Sequence, residues 1–141
     1  MSVLRFHHIP IEESEEPLVD LDEYGFILEP VYYNNGLSDT PKMYLRKTVV
    51  ERLATASHEL APLKFKIWDG WRPREVQHKI YTKHWKRVAA EHPDWTDAQI
   101  RAQVGIFVTI AADLNRIPFH STGGAVDLTL VDESGAEIDM G

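Results

Sequence analysis

Two potential metal ligands lie seven residues apart near the end of the 141-residue chain. His120 precedes Asp127 in the segment FHSTGGAVDLTL (119–130), and two adjacent glycines separate them. Alternation along the β-forming run places Asp127 and Thr129 on one face and the aliphatic residues between and around them on the other. We expect the aliphatic face to be buried, so that Asp127 projects from a rigid strand while the glycines let His120 approach it. Imidazole and carboxylate are both zinc ligands, and the segment therefore predicts a metal site.

The same pair has a plainer interpretation. A histidine in a loop is often solvated, and an aspartate at this position often caps a turn. On spacing alone, that interpretation is the commoner one, because short motifs match by chance.

A second segment, WDGWRP (68–73), adds a cation to the pattern. Asp-Gly predicts a tight turn after a strand, and Pro73 favours an extended backbone at Arg72. The guanidinium then projects from the strand end, where it can bind a substrate carbonyl or a developing oxyanion beside a metal. The alternative for Arg72 is a surface ion pair in a turn.

Periodicity predicts the elements that position these residues. Apolar residues recur at spacings of three and four from Leu45 to Leu60, and they form one stripe of a helix that starts after Pro41. A capping box at Thr96 and Gln99 begins another helix, which runs to Leu114. The remaining predicted elements are an edge strand within 26–37, a strand at 63–70, a helix at 74–90, a strand at 125–131 and a hairpin partner at 136–141. The predicted fold class is α+β, a mainly antiparallel sheet with about three helices in a single domain, 1–141.

Composition excludes several classes of function. The chain has no cysteine, which removes thiol nucleophiles, disulfides and thiolate zinc sites. A net charge of −7 without a Lys/Arg-rich run argues against nucleic-acid binding. No apolar run approaches the roughly 20 residues of a membrane-spanning helix, and the first ten residues lack the apolar region of a secretory signal. We therefore expect a cytoplasmic protein with no membrane or nucleic-acid partner.

The segments DGWRP, HSTGGAVDLTL and IDMG, in this order, resemble the D-alanyl-D-alanine dipeptidases of the vancomycin-resistance type. These are zinc peptidases of the D-Ala-D-Ala metallopeptidase superfamily, with the hedgehog/DD-peptidase type of fold. The resemblance extends from LVDLDEYGF through the final DMG. It implies Zn²⁺ bound by His120 and Asp127, a catalytic Arg72 that stabilises the tetrahedral intermediate, and a small D,D-dipeptide substrate from cell-wall metabolism.

The chain departs from the family pattern in two places. Pro118 replaces the serine that the family has two residues before the metal histidine. Family members also continue past DMG to an E-x-x-H-like motif that supplies the catalytic glutamate and the third zinc ligand. The letters E-x-x-H recur at Glu75 to His78, but there they predict an ordinary amphipathic helix.

We accordingly expect a C-terminally truncated dipeptidase domain that is inactive or weak by itself, and self-association through its unpaired sheet edge. Two alternatives stay open. One is a degenerate module that binds a metal or a D-amino acid without catalysis, and the other is a remnant that acts only as an interaction domain.

Overall fold

The computed structural model describes residues 9–110 and 116–141. Within these ranges the chain forms five strands, four α-helices and two short 3₁₀ helices. The strands are β1 (Leu18–Asp20), β2 (Ile27–Leu28), β3 (Tyr44–Arg46), β4 (Lys64–Asp69) and β5 (Asp127–Val131). The α-helices are α1 (Val31–Asn34), α2 (Lys47–Leu60), α3 (Arg74–Glu91) and α4 (Asp97–Phe107), and the 3₁₀ helices are Leu21–Glu23 and Phe119–Thr122.

The strands form two small sheets. β1 pairs with β3 in one sheet, and the other has the order β2-β4-β5. The β1/β3 and β4/β5 pairs are antiparallel, whereas β2 and β4 are parallel. The predicted α+β class with a mainly antiparallel sheet is thus confirmed. Three helices of eleven residues or more accompany the sheets, together with the single turn of α1.

The chain divides into two compact units. The sheet unit consists of Ser14–Arg72 and Phe119–Gly141 and contains all five strands, α1 and α2. The helical unit contains α3 and α4 within Pro73–Pro118. None of the helices in the described part of the chain combines the length and the apolar character that a membrane crossing requires.

An apolar core holds the sheet unit together. Leu21, Leu45, Val50 and Ile67 are completely buried there. Three aliphatic residues of the β5 segment pack against this cluster but stay partly exposed; they are Val126, Leu128 and Leu130. The expectation that they form the buried face is wrong in part, because Thr129 and Val131, which alternate with them on the face of Asp127, are the buried residues of β5. Burial of apolar area on this scale is the main favourable term in folding, and it fixes the strand end from which Asp127 projects.

The pairing of β4 with β5 contains a bulge at Trp68. Ile67 lies opposite Leu128, yet Asp69 lies opposite Asp127, so that Trp68 is an extra residue in β4. In an unbroken register Trp68 would face Asp127. A bulge next to a site commonly re-aims a side chain, and here it sets two carboxylates across from each other.

The helical unit follows the sequence pattern closely at its start. The helix predicted over 74–90 is α3, and the capping box at Thr96 and Gln99 is formed at the start of α4. The predicted extension of that helix is wrong, because α4 ends at Phe107 and Val108 has an extended backbone. The run Val108 to Ile110 is β-branched throughout, which lowers its helix propensity. Ala111 and Leu114, which the prediction included, lie outside the described residues.

Three further predicted boundaries are wrong. The helix expected after Pro41 begins only at Lys47, because Tyr44–Arg46 pairs with β1 instead. Of the strand expected within 26–37, only two residues are extended before α1 begins. The hairpin partner at 136–141 is reduced to a bridge between Val131 and Glu137, with backbone hydrogen bonds from Asp132 to Ala136 and from Ile138 to Leu130 beside it.

Candidate metal centre

The fold brings His120 and Asp127 together. His120 lies in the 3₁₀ helix Phe119–Thr122, Asp127 begins β5, and His120 Nε2 is 3.4 Å from Asp127 Oδ1. Gly123 makes the approach possible, because its φ of +77° lies in the left-handed region. A Cβ at Gly123 would also stand 2.8 Å from Leu18 Cδ2, so that a side chain here would force Leu18 to shift.

The His120 ring is held in one tautomer. Its Nδ1 is 2.9 Å from the carbonyl oxygen of Gly70, and a carbonyl only accepts, so Nδ1 carries the proton. In the neutral imidazole, Nε2 is then an unprotonated acceptor facing a carboxylate oxygen. Two acceptors at 3.4 Å repel unless a proton or a cation lies between them.

This arrangement fits a metal ion. A metal-binding histidine usually donates its second ring N–H to a carbonyl or carboxylate, which fixes the tautomer and orients the ring. Gly70 supplies that carbonyl here, and an imidazole nitrogen beside a carboxylate oxygen is a donor pair that zinc takes. His120 and Asp127 are therefore the residues that would hold the ion.

Asp69 extends the cluster at the end of β4. Asp69, His120 and Asp127 each offer a ligand atom, and these atoms lie within 4.8 Å of one another. No second group of three such residues occurs in the described ranges 9–110 and 116–141. Asp69 Oδ2, however, accepts two hydrogen bonds from Arg72, from Nε at 2.9 Å and from Nη2 at 2.6 Å. Its contacts make Asp69 mainly the anchor of Arg72.

Arg72 is buried beside the two candidate ligands. Only 8% of the residue is exposed, and its Nη2 lies 3.8 Å from Asp127 Oδ2. Its guanidinium carbon is 4.7 Å from the centre of the Tyr32 ring, a cation–π distance, and its backbone N–H donates to the His120 carbonyl. The structure thus places Arg72 next to the predicted ligand pair, in a buried ion pair rather than a surface one.

The electrostatics of the pair follow from these contacts. Burial by itself would lower the pKa of His120, but the hydrogen bonds with Asp127 and the Gly70 carbonyl outweigh it and raise that pKa. The hydrogen bond from His120 lowers the pKa of Asp127. Burial raises the pKa of Asp69 against the opposing charge of Arg72. His120 and Asp127 thus each favour the charged form of the other.

Asp69 and Tyr32 were not identified as site residues from the sequence. A signal for Asp69 existed, because it continues the alternation of Phe65 and Ile67 and thereby puts a carboxylate on the buried face of β4. Tyr32 had no comparable signal, since it lies forty residues before the arginine that it contacts. His7 and His8, which no sequence motif supports as ligands, lie outside the described residues.

No family model matches the chain. Over an alignment of 149 positions the chain is 28% identical to a D-alanyl-D-alanine dipeptidase of Synechocystis sp.. The alignment takes in 94% of this chain and 60% of that protein, so the chain spans about three fifths of the length of this relative. The resemblance seen in the motifs is thereby confirmed: along nearly all of its length, the chain is similar to a D-alanyl-D-alanine dipeptidase.

Proposed function

We propose that this chain carries the metal-binding part of a zinc dipeptidase site that acts on D-Ala-D-Ala or a similar D,D-dipeptide. The observation that carries the proposal is the facing of His120 Nε2 and Asp127 Oδ1 at 3.4 Å, with Nδ1 bound to the Gly70 carbonyl. The name of the similar protein supports the substrate class. A role in cell-wall precursor metabolism and a cytoplasmic location are part of the same proposal.

Each residue of the centre has a distinct role in this proposal. His120 and Asp127 would hold the zinc ion, which when bound supplies Lewis acidity toward a water molecule and a carbonyl oxygen. Arg72 is the catalytic cation, because its permanent charge lies beside Asp127 and favours negative charge developing on the substrate oxygen. Asp69 is a positioning residue, since it holds two N–H groups of the guanidinium.

Hydrolysis also needs a group that accepts a proton from water. Within the described centre, both carboxylates are engaged, Asp69 by Arg72 and Asp127 by His120. Catalytic zinc sites also normally have three protein ligands, and this proposal assigns two, His120 and Asp127. We therefore propose that the chain by itself hydrolyses dipeptides weakly or not at all.

A module that binds a metal or a D-amino acid without turnover is the second candidate. The engagement of both carboxylates favours it, because such a site can hold an ion and a ligand without activating water. The two candidates differ in one observable, the release of alanine.

The test measures zinc stoichiometry by equilibrium dialysis and alanine release from D-Ala-D-Ala in the zinc-loaded chain. His120→Ala is the test variant, and His58→Ala, an exposed histidine of α2, is the matched control. We expect one zinc per chain, lost in His120→Ala and kept in His58→Ala. Release of alanine that depends on His120 supports the dipeptidase, whereas zinc binding without release supports the module. Equal zinc binding by both variants would overturn the metal site.

Self-association is a further part of the proposal. β5 lies at one edge of its sheet, and its outer side is paired at the C-terminal end, by the bridge from Val131 to Glu137 and the hydrogen bond from the Ile138 N–H to the Leu130 carbonyl. An open edge of this kind is a template for pairing with a second chain. Light scattering should show a mass that grows with protein concentration, and a constant monomer mass would contradict this.

A further inference from the structure

A cavity of about 510 Å³ adjoins the candidate metal centre. Its volume lies within the range of small-molecule sites. Six residues line it, namely Val31, Tyr32, Trp68, Val126, Asp127 and Leu128. All six are partly exposed, so that the cavity opens to solvent.

Two of the lining residues also belong to the centre. Asp127 is a candidate metal ligand and a wall of the cavity, and the Tyr32 hydroxyl lies 3.3 Å from Arg72 Nη2. The cavity therefore lies beside the metal ligands and Arg72, within reach of a side chain of a dipeptide bound there.

The chemistry of the walls is mostly apolar. Four of the six residues carry aliphatic or indole side chains, and the ionisable groups are those of Asp127 and Tyr32. The Trp68 indole is also held in place, because its Nε1 donates to Glu29 Oε2 at 3.0 Å and Glu29 pairs with Lys66. A fixed indole offers a flat surface for stacking an aromatic ring.

We propose that this cavity is a specificity pocket for an apolar side chain larger than the methyl group of alanine, with phenylalanine as its best-fitting occupant. The inference rests on the proposed function, because it takes the reacting bond to lie at His120, Asp127 and Arg72. A methyl group would leave most of a 510 Å³ cavity filled with water. Each water molecule occupies about 30 Å³, so many would stay in the cavity. A phenyl ring removes far more apolar surface from water and contacts Trp68, so affinity should rise with side-chain size.

The experiment compares three probes by titration calorimetry on the zinc-loaded chain: D-Ala-D-Ala, D-Ala-D-Phe and D-Phe-D-Ala. We expect one of the two phenylalanine isomers to bind at least about tenfold more tightly than D-Ala-D-Ala, the usual gain for filling an apolar pocket. Binding is the readout, so the result does not depend on turnover.

Val31→Trp is the informative variant because it puts an indole into the cavity. Val31 lines the cavity but is not part of the apolar core of the sheet unit, so the change should leave the fold intact. Tyr33→Trp is the matched control, since it adds the same group two residues later in α1 at an exposed position. We expect Val31→Trp to bring the affinity for the phenylalanine isomer down to that for D-Ala-D-Ala, and Tyr33→Trp to keep the preference.

Equal affinity for all three probes, or a preference that Val31→Trp retains, would overturn the pocket while leaving the metal site standing. Loss of zinc binding is measured separately with His120→Ala. A wild-type chain that binds no zinc would overturn the proposed function, and with it the assignment of the pocket to a dipeptide.

Discussion

Asp69 and Asp127 lie opposite each other across the β4/β5 pair, because Trp68 is an extra residue in β4. Like charges directly opposite in a sheet are destabilising. The structure compensates each carboxylate with its own partner, Arg72 for Asp69 and His120 for Asp127. Arg72 and His120, which compensate the facing carboxylates, are also the groups that the proposed chemistry uses, and this links the stability of the fold to the site.

The first prediction concerns this compensation. Asp69→Ala should lower the free energy of unfolding by about 3 kcal/mol, the lower end of the cost of leaving one partner of a buried ion pair unpaired. The lower end applies because Asp127 still lies 3.8 Å from Arg72. Urea denaturation followed by circular dichroism measures the change. Asp22→Ala is the control, because its side chain is 57% exposed and pairs with Lys42 at the surface, where such pairs contribute less than about 1 kcal/mol. Equal losses in the two variants would contradict the role given to Asp69.

A second prediction follows from the raised pKa of His120. The pKa of His120 in the folded protein lies above its ordinary value of 6.5. Below this raised pKa the ring is protonated, so zinc must displace a proton from His120 in order to bind. The pKa of Asp127 is lowered, so this carboxylate stays charged in the same range and releases no proton. Zinc affinity should therefore fall with falling pH and level off above the His120 pKa. Calorimetry in two buffers of different ionisation enthalpy should detect up to one proton released per zinc, and a pH-independent affinity would contradict His120 as a ligand.

Much of the site could be predicted from local pattern. The alternation in β4 is confirmed by the burial of Phe65 and Ile67, and Gly123 has the left-handed backbone that lets the chain turn between His120 and Asp127. These features depend on residues close together in sequence. The bulge at Trp68 has no such local signature, because it is defined only by the register of β4 against β5.

The errors in the fold have the same origin. Leu45 fits the apolar stripe of the following helix by spacing, but it is buried as a residue of β3, whose partner β1 lies more than twenty residues earlier. Secondary structure stabilised by distant pairing overrides local propensity. Tyr32 likewise meets Arg72 only after folding, through a contact spanning forty residues.

A third prediction concerns the start of α2. The Thr48 backbone N–H donates to Glu16 Oε1 at 2.9 Å, and the Thr48 hydroxyl donates to the same oxygen. Glu16 therefore caps a helix whose preceding residue, Arg46, forms no side-chain cap. Glu16→Ala should lower the free energy of unfolding by about 1 kcal/mol, as for the loss of an N-cap. Glu15→Ala, an exposed neighbour, should change it by less than about 0.5 kcal/mol, and the reverse order in a urea titration would refute the cap.

The last prediction separates the backbone requirement of the centre from its ligands. Gly123→Ala forces a side chain into the left-handed region at φ +77°, which costs about 1–2 kcal/mol. It also places a Cβ 2.8 Å from Leu18 Cδ2 and 3.0 Å from Arg46 Cγ. Arg46 donates its backbone N–H to the Gly123 carbonyl and its Nε to the Thr122 carbonyl, so the substitution acts on the loop that carries His120.

Gly124→Ala is the matched control for this change. Its φ is not in the left-handed region, and its added Cβ would meet only the Thr122 hydroxyl, at 3.4 Å. We expect Gly123→Ala to weaken zinc binding as well as stability, because the shifted loop separates His120 Nε2 from Asp127 Oδ1, while Gly124→Ala changes both much less. Dialysis against zinc and urea denaturation on the same samples provide the two readouts. A Gly123→Ala variant that loses stability but keeps full zinc affinity would mean that the ion is not held between His120 and Asp127.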